Sequence, residues 1–193
     1  MSNRRGDIII LVAPSGSGKS TLANLLLEEF ENIRFSVSAT TRPPRTGEKD
    51  GVNYHFLTHE KFQEKIDAGE FLEWEEFYNG NRYGTLRSDV ENQRDKGYFV
   101  LLDIEVFGAT RVKKMYGEEA LSIFIKPPSL DELKKRLEAR GTETEESLKT
   151  RLERAGEELT YASRFDRIVV NDDLDEAYRQ VKLAVTEFMT RNK

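Results

Sequence analysis

The alternation of apolar and polar positions divides the chain into strands and helices that follow one another in regular order. Residues 8–13 are an unbroken apolar run, the pattern of a strand buried on both faces. Leu22, Leu25, Leu26 and Phe30 then recur at helical spacing. Residues 33–38 alternate as a strand, whereas residues 39–51 hold prolines and glycines that forbid regular structure. A short strand is predicted over 54–57, a helix over 59–68 and a strand over 71–77, and a glycine-bounded turn leads to Arg82, Tyr83 and Gly84. A helix over 86–96 feeds an apolar strand over 98–102, and 121–125 is a further buried strand closed by Pro127 and Pro128. Ser129 with Glu132 three residues later is a capping box for the next helix. Residues 141–146 break that helix and start another; 167–171 read as a strand, and Asp172 and Asp173 cap a last amphipathic helix. Its apolar positions are Leu174, Ala177, Val181, Leu183, Ala184, Val185 and Phe188. Strands alternating with helices predict a three-layer α/β fold with a largely parallel sheet.

Between the first strand and the first helix lies APSGSGKST, residues 13–21. Strand, glycine loop and helix arrive in the order a phosphate-binding loop needs. Gly16 and Gly18 supply the permissive backbone angles that let successive N–H groups wrap an anion. Lys19 would reach the β- and γ-phosphates, Ser20 would hold Mg²⁺, and the helix N-terminus adds its partial positive charge. The strict motif G-x-x-x-x-G-K-S/T wants glycine at position 13, where this chain has Ala13. Either position 13 has an ordinary backbone conformation or the match is accidental.

Several other segments stay open on the residues alone. Arg42 and Arg45 are the long fixed charges in the first half of the 39–51 loop, which is either a functional loop or a solvated one. Glu73 shares strand parity with Phe71 and Phe77, so it is either a carboxylate among aromatics, suited to a planar base, or an exposed residue of an edge strand. Asp103 follows a buried strand, where α/β sheets present catalytic groups, and is the expected partner of the Mg²⁺ shell; Glu105 belongs to the substrate side. Arg136 and Arg140 share a helix face, and Arg151 and Arg154 follow on the next helix. Composition alone reads that region as a solvated helical hairpin laced with ion pairs.

At 193 residues the chain suits one domain with inserted lobes. No long hydrophobic stretch predicts a membrane span, and residues 1–6, MSNRRG, lack the apolar region of a signal peptide, which predicts a cytoplasmic protein. The absence of cysteine removes disulfides, thiolate metal sites and cysteine nucleophiles together. His55 and His59 have no ligand partners at metal-binding spacing and are expected at the surface. A net charge of −5 argues against non-specific binding to nucleic acid, and no nucleic-acid partner is expected, though the total says nothing of local fields.

Taken together, residues 13–21, FSVSATTRPPRTGE (35–48), GEFLEW (69–74), YGT (83–85) and RGTETEES (140–147) resemble the guanylate kinases from end to end. The S-x-T-T-R-x-P-R block is the most specific of them. The resemblance implies a P-loop NTPase-type core (1–34, 85–128 and 161–193), an inserted small mixed α/β GMP-binding lobe (35–84) and a helical lid (129–160). It implies transfer of the γ-phosphoryl group of Mg-ATP to GMP. By resemblance Ser38, Glu73 and Thr85 contact guanine, and Arg42, Arg45, Tyr54 and Tyr83 hold the GMP phosphate, with Asp103 and Glu105 on the same side. Ala13, Pro14, Ser15, Gly16, Ser17, Gly18, Lys19, Ser20, Thr21 and Asn171 fall on the ATP site. Arg136, Arg140 and Arg151 fall on the lid arginines. Bacterial-type relatives can carry alanine at the position of Ala13. Thr85, Glu105 and Phe107 depart from the residues common there, which are serine, aspartate and glutamine. Two other readings compete: a peptide-binding module of the same fold, expected to lose Lys19 or the lid arginines, and a kinase with another acceptor, against which Ser38, Glu73 and Thr85 argue. Oligomeric state has no sequence signal.

Overall fold

In the computed structural model, which describes residues 5–77, 80–139 and 144–191, the first strand β1 (Ile8–Val12) is buried at every position. It is followed by α1 (Lys19–Glu29), β2 (Ile33–Phe35), β3 (Ala39–Thr40), β4 (His55–Phe56), α2 (His59–Asp67), β5 (Phe71–Glu76) and β6 (Arg82–Leu86). Then come α3 (Arg87–Asp95), β7 (Phe99–Asp103), α4 (Val106–Tyr116), β8 (Ala120–Lys126), α5 (Leu130–Ala139), α6 (Glu145–Leu159), β9 (Arg167–Val170) and α7 (Leu174–Thr190).

Five strands form one parallel sheet in the order β2-β7-β1-β8-β9. β1 is central because only a strand covered on both faces can carry five apolar residues in succession without exposing any. One face packs on α1 and α7 through Leu22, Leu26, Val181 and Val185; the other packs under Val90, Val106, Ala109 and Val112 of α3 and α4. A second sheet, β4-β3-β6-β5, is inserted between β2 and α3, with its own small core of Ala39, Phe62, Phe71 and Leu86. Phe62 and Phe71 stack there at 4.4 Å between ring centroids.

The predicted strand over 33–38 is two strands in two sheets. Ser36 N–H donates to the Leu101 carbonyl at 3.0 Å, and beyond it the chain leaves the parallel sheet and enters the second at Ala39. The 39–51 loop thus begins as the short strand β3. β6 runs through position 84 and carries Thr85 in its ladder. His55 is half-buried rather than fully at the surface, because its Nε2 lies 2.9 Å from Asp89 of α3. Leu174 and Leu183 lie on the exposed side of α7. The hairpin of α5 and α6 is not merely solvated: Leu133, Leu137 and Ala155 are buried between its helices against Leu148 and Leu152. Ser129 Oγ accepts from Glu132 N–H at 3.0 Å, the serine half of the predicted capping box, while the Glu132 carboxylate lies 3.5 Å from Lys135 and Arg136.

One buried cation ties the lower edge of the core together. Arg94 is 1% exposed; its Nε donates to the Gly6 carbonyl at 2.8 Å, its guanidinium pairs with Glu91 and Glu119, and it lies 4.9 Å over the Tyr116 ring. Removing one partner of a buried charge network costs about 3–5 kcal/mol. Glu119 is largely exposed and can be rehydrated, so Arg94→Met is expected to cost about 3 kcal/mol, the lower end of that range. Urea denaturation would read it as a lower midpoint with an unchanged slope.

Candidate active site

The loop between β1 and α1 turns at two glycines with positive φ, Gly16 at 93° and Gly18 at 88°. No non-glycine residue among the described ones has positive φ, so Ala13, 2% exposed, sits in an ordinary conformation and needs no glycine. Gly18 is the N-cap of α1, with no side chain capping the helix. The orphan N–H groups of the first turn therefore remain available to an anion. A side chain at Gly16 would run into Leu137 and Leu133 of α5 at 2.9–3.1 Å, so the hairpin core bears directly on the loop. Behind the loop, buried Asn171 donates from its amide to the Ser17 carbonyl at 2.8 Å, and its backbone N–H donates to Lys126. Its backbone carbonyl accepts from Arg136 at 2.9 Å.

Lys19, the first residue of α1, reaches across to β7. Its Nζ lies 2.6 Å from Asp103 Oδ1 and donates to the Ile104 carbonyl at 3.3 Å. Burial pulls the ammonium pKa down, but Asp103 and Glu105 more than offset it, and the net shift is upward. Ser20 stands exposed at the mouth of the same turn, as do Ser15 and Thr21.

A cavity of about 430 Å³ opens between the two sheets, lined among others by Ser38, Arg45, Tyr54, Tyr83, Glu73 and Asp103. Glu73 lies on β5 opposite Thr85 of β6, and Thr85 Oγ1 donates to Glu73 Oε1 at 2.6 Å. Both residues are buried, at 7% and 1% exposure. Burial pushes the Glu73 carboxyl up to about 7, with the Thr85 bond pulling the other way. β5 is indeed an edge strand. It is nevertheless covered by α4, which meets it at Gly108 and through Arg111 donating to the Trp74 carbonyl, and a register irregularity between Phe71 and Glu73 breaks the simple parity. Phe71 enters the small core, whereas Leu72 packs with Val106 and Ala109 of α4 and Glu73 also turns to that helix, at Gly108, instead of following Phe71.

Arg42 stacks 5.1 Å over Tyr54 and holds Glu48 through two nitrogens, at 2.8 and 2.9 Å. That fork raises the guanidinium pKa further and lowers Glu48 to about 2. Tyr54 and Tyr83 meet edge to face at 6.0 Å. Arg151 donates to Ser15 Oγ of the loop at 2.9 Å.

Residues 5–188 match the family model described as guanylate kinase. The chain belongs to the guanylate kinase family. It is 52% identical over 184 residues to a guanylate kinase of Salinibacter ruber, spanning 95% of this chain and 97% of the relative. A guanylate kinase of Bacteroides thetaiotaomicron is 50% identical over 186 residues, 96% and 91% of the two chains. Among solved structures, a guanylate kinase from Anaplasma phagocytophilum superposes with a TM-score of 0.76 at 37% identity, over 98% of this chain and 90% of that one. The fold is accordingly a P-loop fold.

Arg151 faces the phosphate loop and the cavity, whereas Arg136 is turned to Asn171 and Glu132, and Arg140 lies outside the described residues. Arg154, absent from the predicted site, joins α6 to the rest: it pairs with Glu158 at 2.8 Å, Glu105 at 3.3 Å and Glu75 at 3.5 Å, and lies 5.1 Å over Phe77. Burial and the Glu105 charge push Glu158 up to about 7. The i,i+4 spacing of Arg154 and Glu158 was a visible signal, but the cross-element partners were not. Phe107, exposed on α4, meets the Tyr161 ring at 5.2 Å rather than lining the cavity.

Proposed function

We propose that this chain transfers the γ-phosphoryl group of ATP to GMP, giving ADP and GDP. The observation that carries the reading is the pairing of a phosphate loop with a buried carboxylate, Glu73 oriented by Thr85, across one cavity. In this reading residues 13–21 cradle the ATP phosphates, and Asn171 holds that loop in shape beside the base. Ser38, Glu73 and Thr85 read guanine, and Arg42, Arg45, Tyr54 and Tyr83 hold the phosphate of GMP. Asp103 and Glu105 complete the wall nearest the reacting groups.

The reaction requires no covalent nucleophile on the protein; in-line positioning and cationic stabilisation supply the rate. Lys19, Arg42, Arg136, Arg140 and Arg151 are the cations for that task. Arg42 exchanges Glu48 for the GMP phosphate, and the lid arginines engage when residues 129–160 and the lobe 35–84 close over the core. Closure also keeps water from the γ-phosphate. Ser20 and Asp103 offer hard oxygen donors suited to Mg²⁺. Among the described residues no group of three or more His, Cys, Asp or Glu could hold a metal by itself, which fits an ion that arrives with phosphates and keeps several waters. When bound, Mg²⁺ neutralises charge on the β- and γ-phosphate oxygens. No helix among the described residues is long and apolar enough to cross a membrane; the nucleotide substrates favour the cytoplasm as its place.

A coupled assay of ATP against GMP, AMP, UMP and CMP tests the reading. Substantial turnover is expected with GMP alone. Equal turnover with AMP or UMP would remove the acceptor assignment, and phosphotransfer to none of the four would remove the enzyme assignment.

A further inference from the structure

We infer that Gly108 is a positioning residue for acceptor choice: the missing side chain in the first turn of α4 sets how far the Glu73 carboxylate stands back from the cavity. The inference rests on the reading of Glu73 as the group that recognises guanine.

A Cβ at Gly108 would lie 2.6 Å from Glu73 Oε2 and 3.1 Å from both Cδ and Cγ. Such a methyl group meets the whole end of the side chain, so a rotation of the tip does not clear it. Glu73 has little freedom to yield elsewhere. Its other oxygen is fixed by Thr85 at 2.6 Å and the residue is 7% exposed. The strand beneath it is also pinned. Leu72 packs in the same core as Val106 and Ala109 of α4, and Arg111, one turn further along that helix, donates to the Trp74 carbonyl at 3.0 Å.

Nor can β5 retreat toward β6: the strands are already paired at Glu73–Thr85, Trp74–Gly84 and Glu75–Tyr83, so closely that a side chain at Gly84 would stand 2.9 Å from the Glu73 carbonyl oxygen. β5 is therefore held between two glycines, one on the neighbouring strand and one on the helix, and the open direction for the carboxylate is the cavity. Close approach of backbone to a neighbouring element is a use to which only glycine is suited. Gly108 has no positive φ and lies within a helix, where alanine is the better residue. Backbone strain is thus absent from Gly108→Ala, which isolates the contact.

A misplacement on the ångström scale at a reacting site costs about 10²-fold. Gly108→Ala is expected to lower kcat/KM for GMP roughly 10- to 100-fold, chiefly through KM, and to narrow the preference for GMP over AMP. The KM for ATP should move less than about twofold, since the phosphate loop is untouched. Glu73→Asp, one methylene shorter, restores the clearance. It should cost the Gly108→Ala background about tenfold less than it costs the original protein.

A GMP kcat/KM within twofold of the original in Gly108→Ala would overturn the inference, as would two substitutions that multiply independently. If Gly108→Ala does not fold, the comparison is Glu73→Asp against Glu73→Asp with Gly108→Ala. Equal GMP kinetics in those two would uphold it, and a folded double variant that has lost GMP turnover would overturn it. Glu73→Gln alone separates the two levels: an unchanged base preference there removes the reading of Glu73, whereas a changed preference with an indifferent Gly108→Ala removes only the positioning role.

Discussion

Replacing Lys19 with methionine is expected to lower kcat by 10²–10³-fold or more while the protein stays folded. The magnitude is that of deleting one preorganised donor aimed at developing charge, roughly 3–4 kcal/mol of transition-state stabilisation. Lys19 serves the phosphate loop as a point charge at the start of α1, 2.6 Å from Asp103. Methionine keeps the length and the apolar stem and removes only the charge. The stability cost follows from the same pair. The Lys19 pKa is raised in the fold, so the stabilisation it contributes is present in full below its unfolded value of 10.5 and is lost only as pH rises beyond that. At neutral pH the variant therefore forfeits the whole contribution of a mostly buried ion pair and leaves Asp103 without its cation, at a cost of up to about 3 kcal/mol, partly offset because no ammonium is buried any longer. Steady-state turnover with ATP and GMP, read beside a thermal melt, checks both halves. Turnover close to the original would remove the phosphate-loop assignment, and a collapsed melt would mean that Lys19 serves the fold.

The loop around Lys19 was legible in the sequence because its physics is local. A doubly buried strand, two glycines where φ turns positive and a helix behind them are contiguous in the chain, and each carries its own residue signature. Even the alanine at position 13 is resolved by one local fact, an ordinary φ. Glu73 is the opposite case. Strand parity left it between cavity and solvent, and what decides its burial comes from α4, more than thirty residues away, and from a register break that parity cannot register. The prediction of one strand over residues 33–38 failed for a related reason. The pattern is continuous while the partner strand changes from β7 to β6, and pairing partners are not written in either strand alone. Arg154 shows the same limit on the hairpin: its partner Glu158 is four residues away, but Glu75 and Glu105 reach it only through the packing of α6 over the cavity.

Glu73→Gln is expected to weaken GMP phosphorylation steeply and to raise the stability of the ligand-free protein at alkaline pH. Guanine presents two adjacent donors, N1–H and the 2-amino group, which one carboxylate accepts in parallel as a charge-assisted pair. Adenine offers a lone pair at N1 and no donor beside it, so an ionised Glu73 would remain unsatisfied, at a cost of about 1–3 kcal/mol or more. Glutamine loses the charge and turns one arm into a donor, so kcat/KM for GMP should fall at least tenfold and the margin over AMP should shrink. The ionised form is the one that reads guanine, and burial holds this carboxyl at about 7 in the free protein. In the original protein kcat/KM for GMP should therefore rise as pH climbs through about 7. That inflection should vanish in Glu73→Gln. The linkage to folding has the opposite sign. Between the unfolded value of 4.5 and the folded value of about 7 the native state binds more protons than the unfolded chain, so stability falls as pH rises through that window. Glutamine does not titrate and escapes the loss, with a ceiling of about 3 kcal/mol at pH 8 and no gain below pH 4. Glu158, also near 7, leaves a residual slope in both proteins. Melts of the two proteins from pH 4 to pH 8, beside GMP and AMP kinetics over pH 6 to pH 8, measure each part. Glu73→Gln with the original kcat/KM for GMP and the original rejection of AMP would end the base-reading role, and parallel stability curves would show that the charge carries no burial cost.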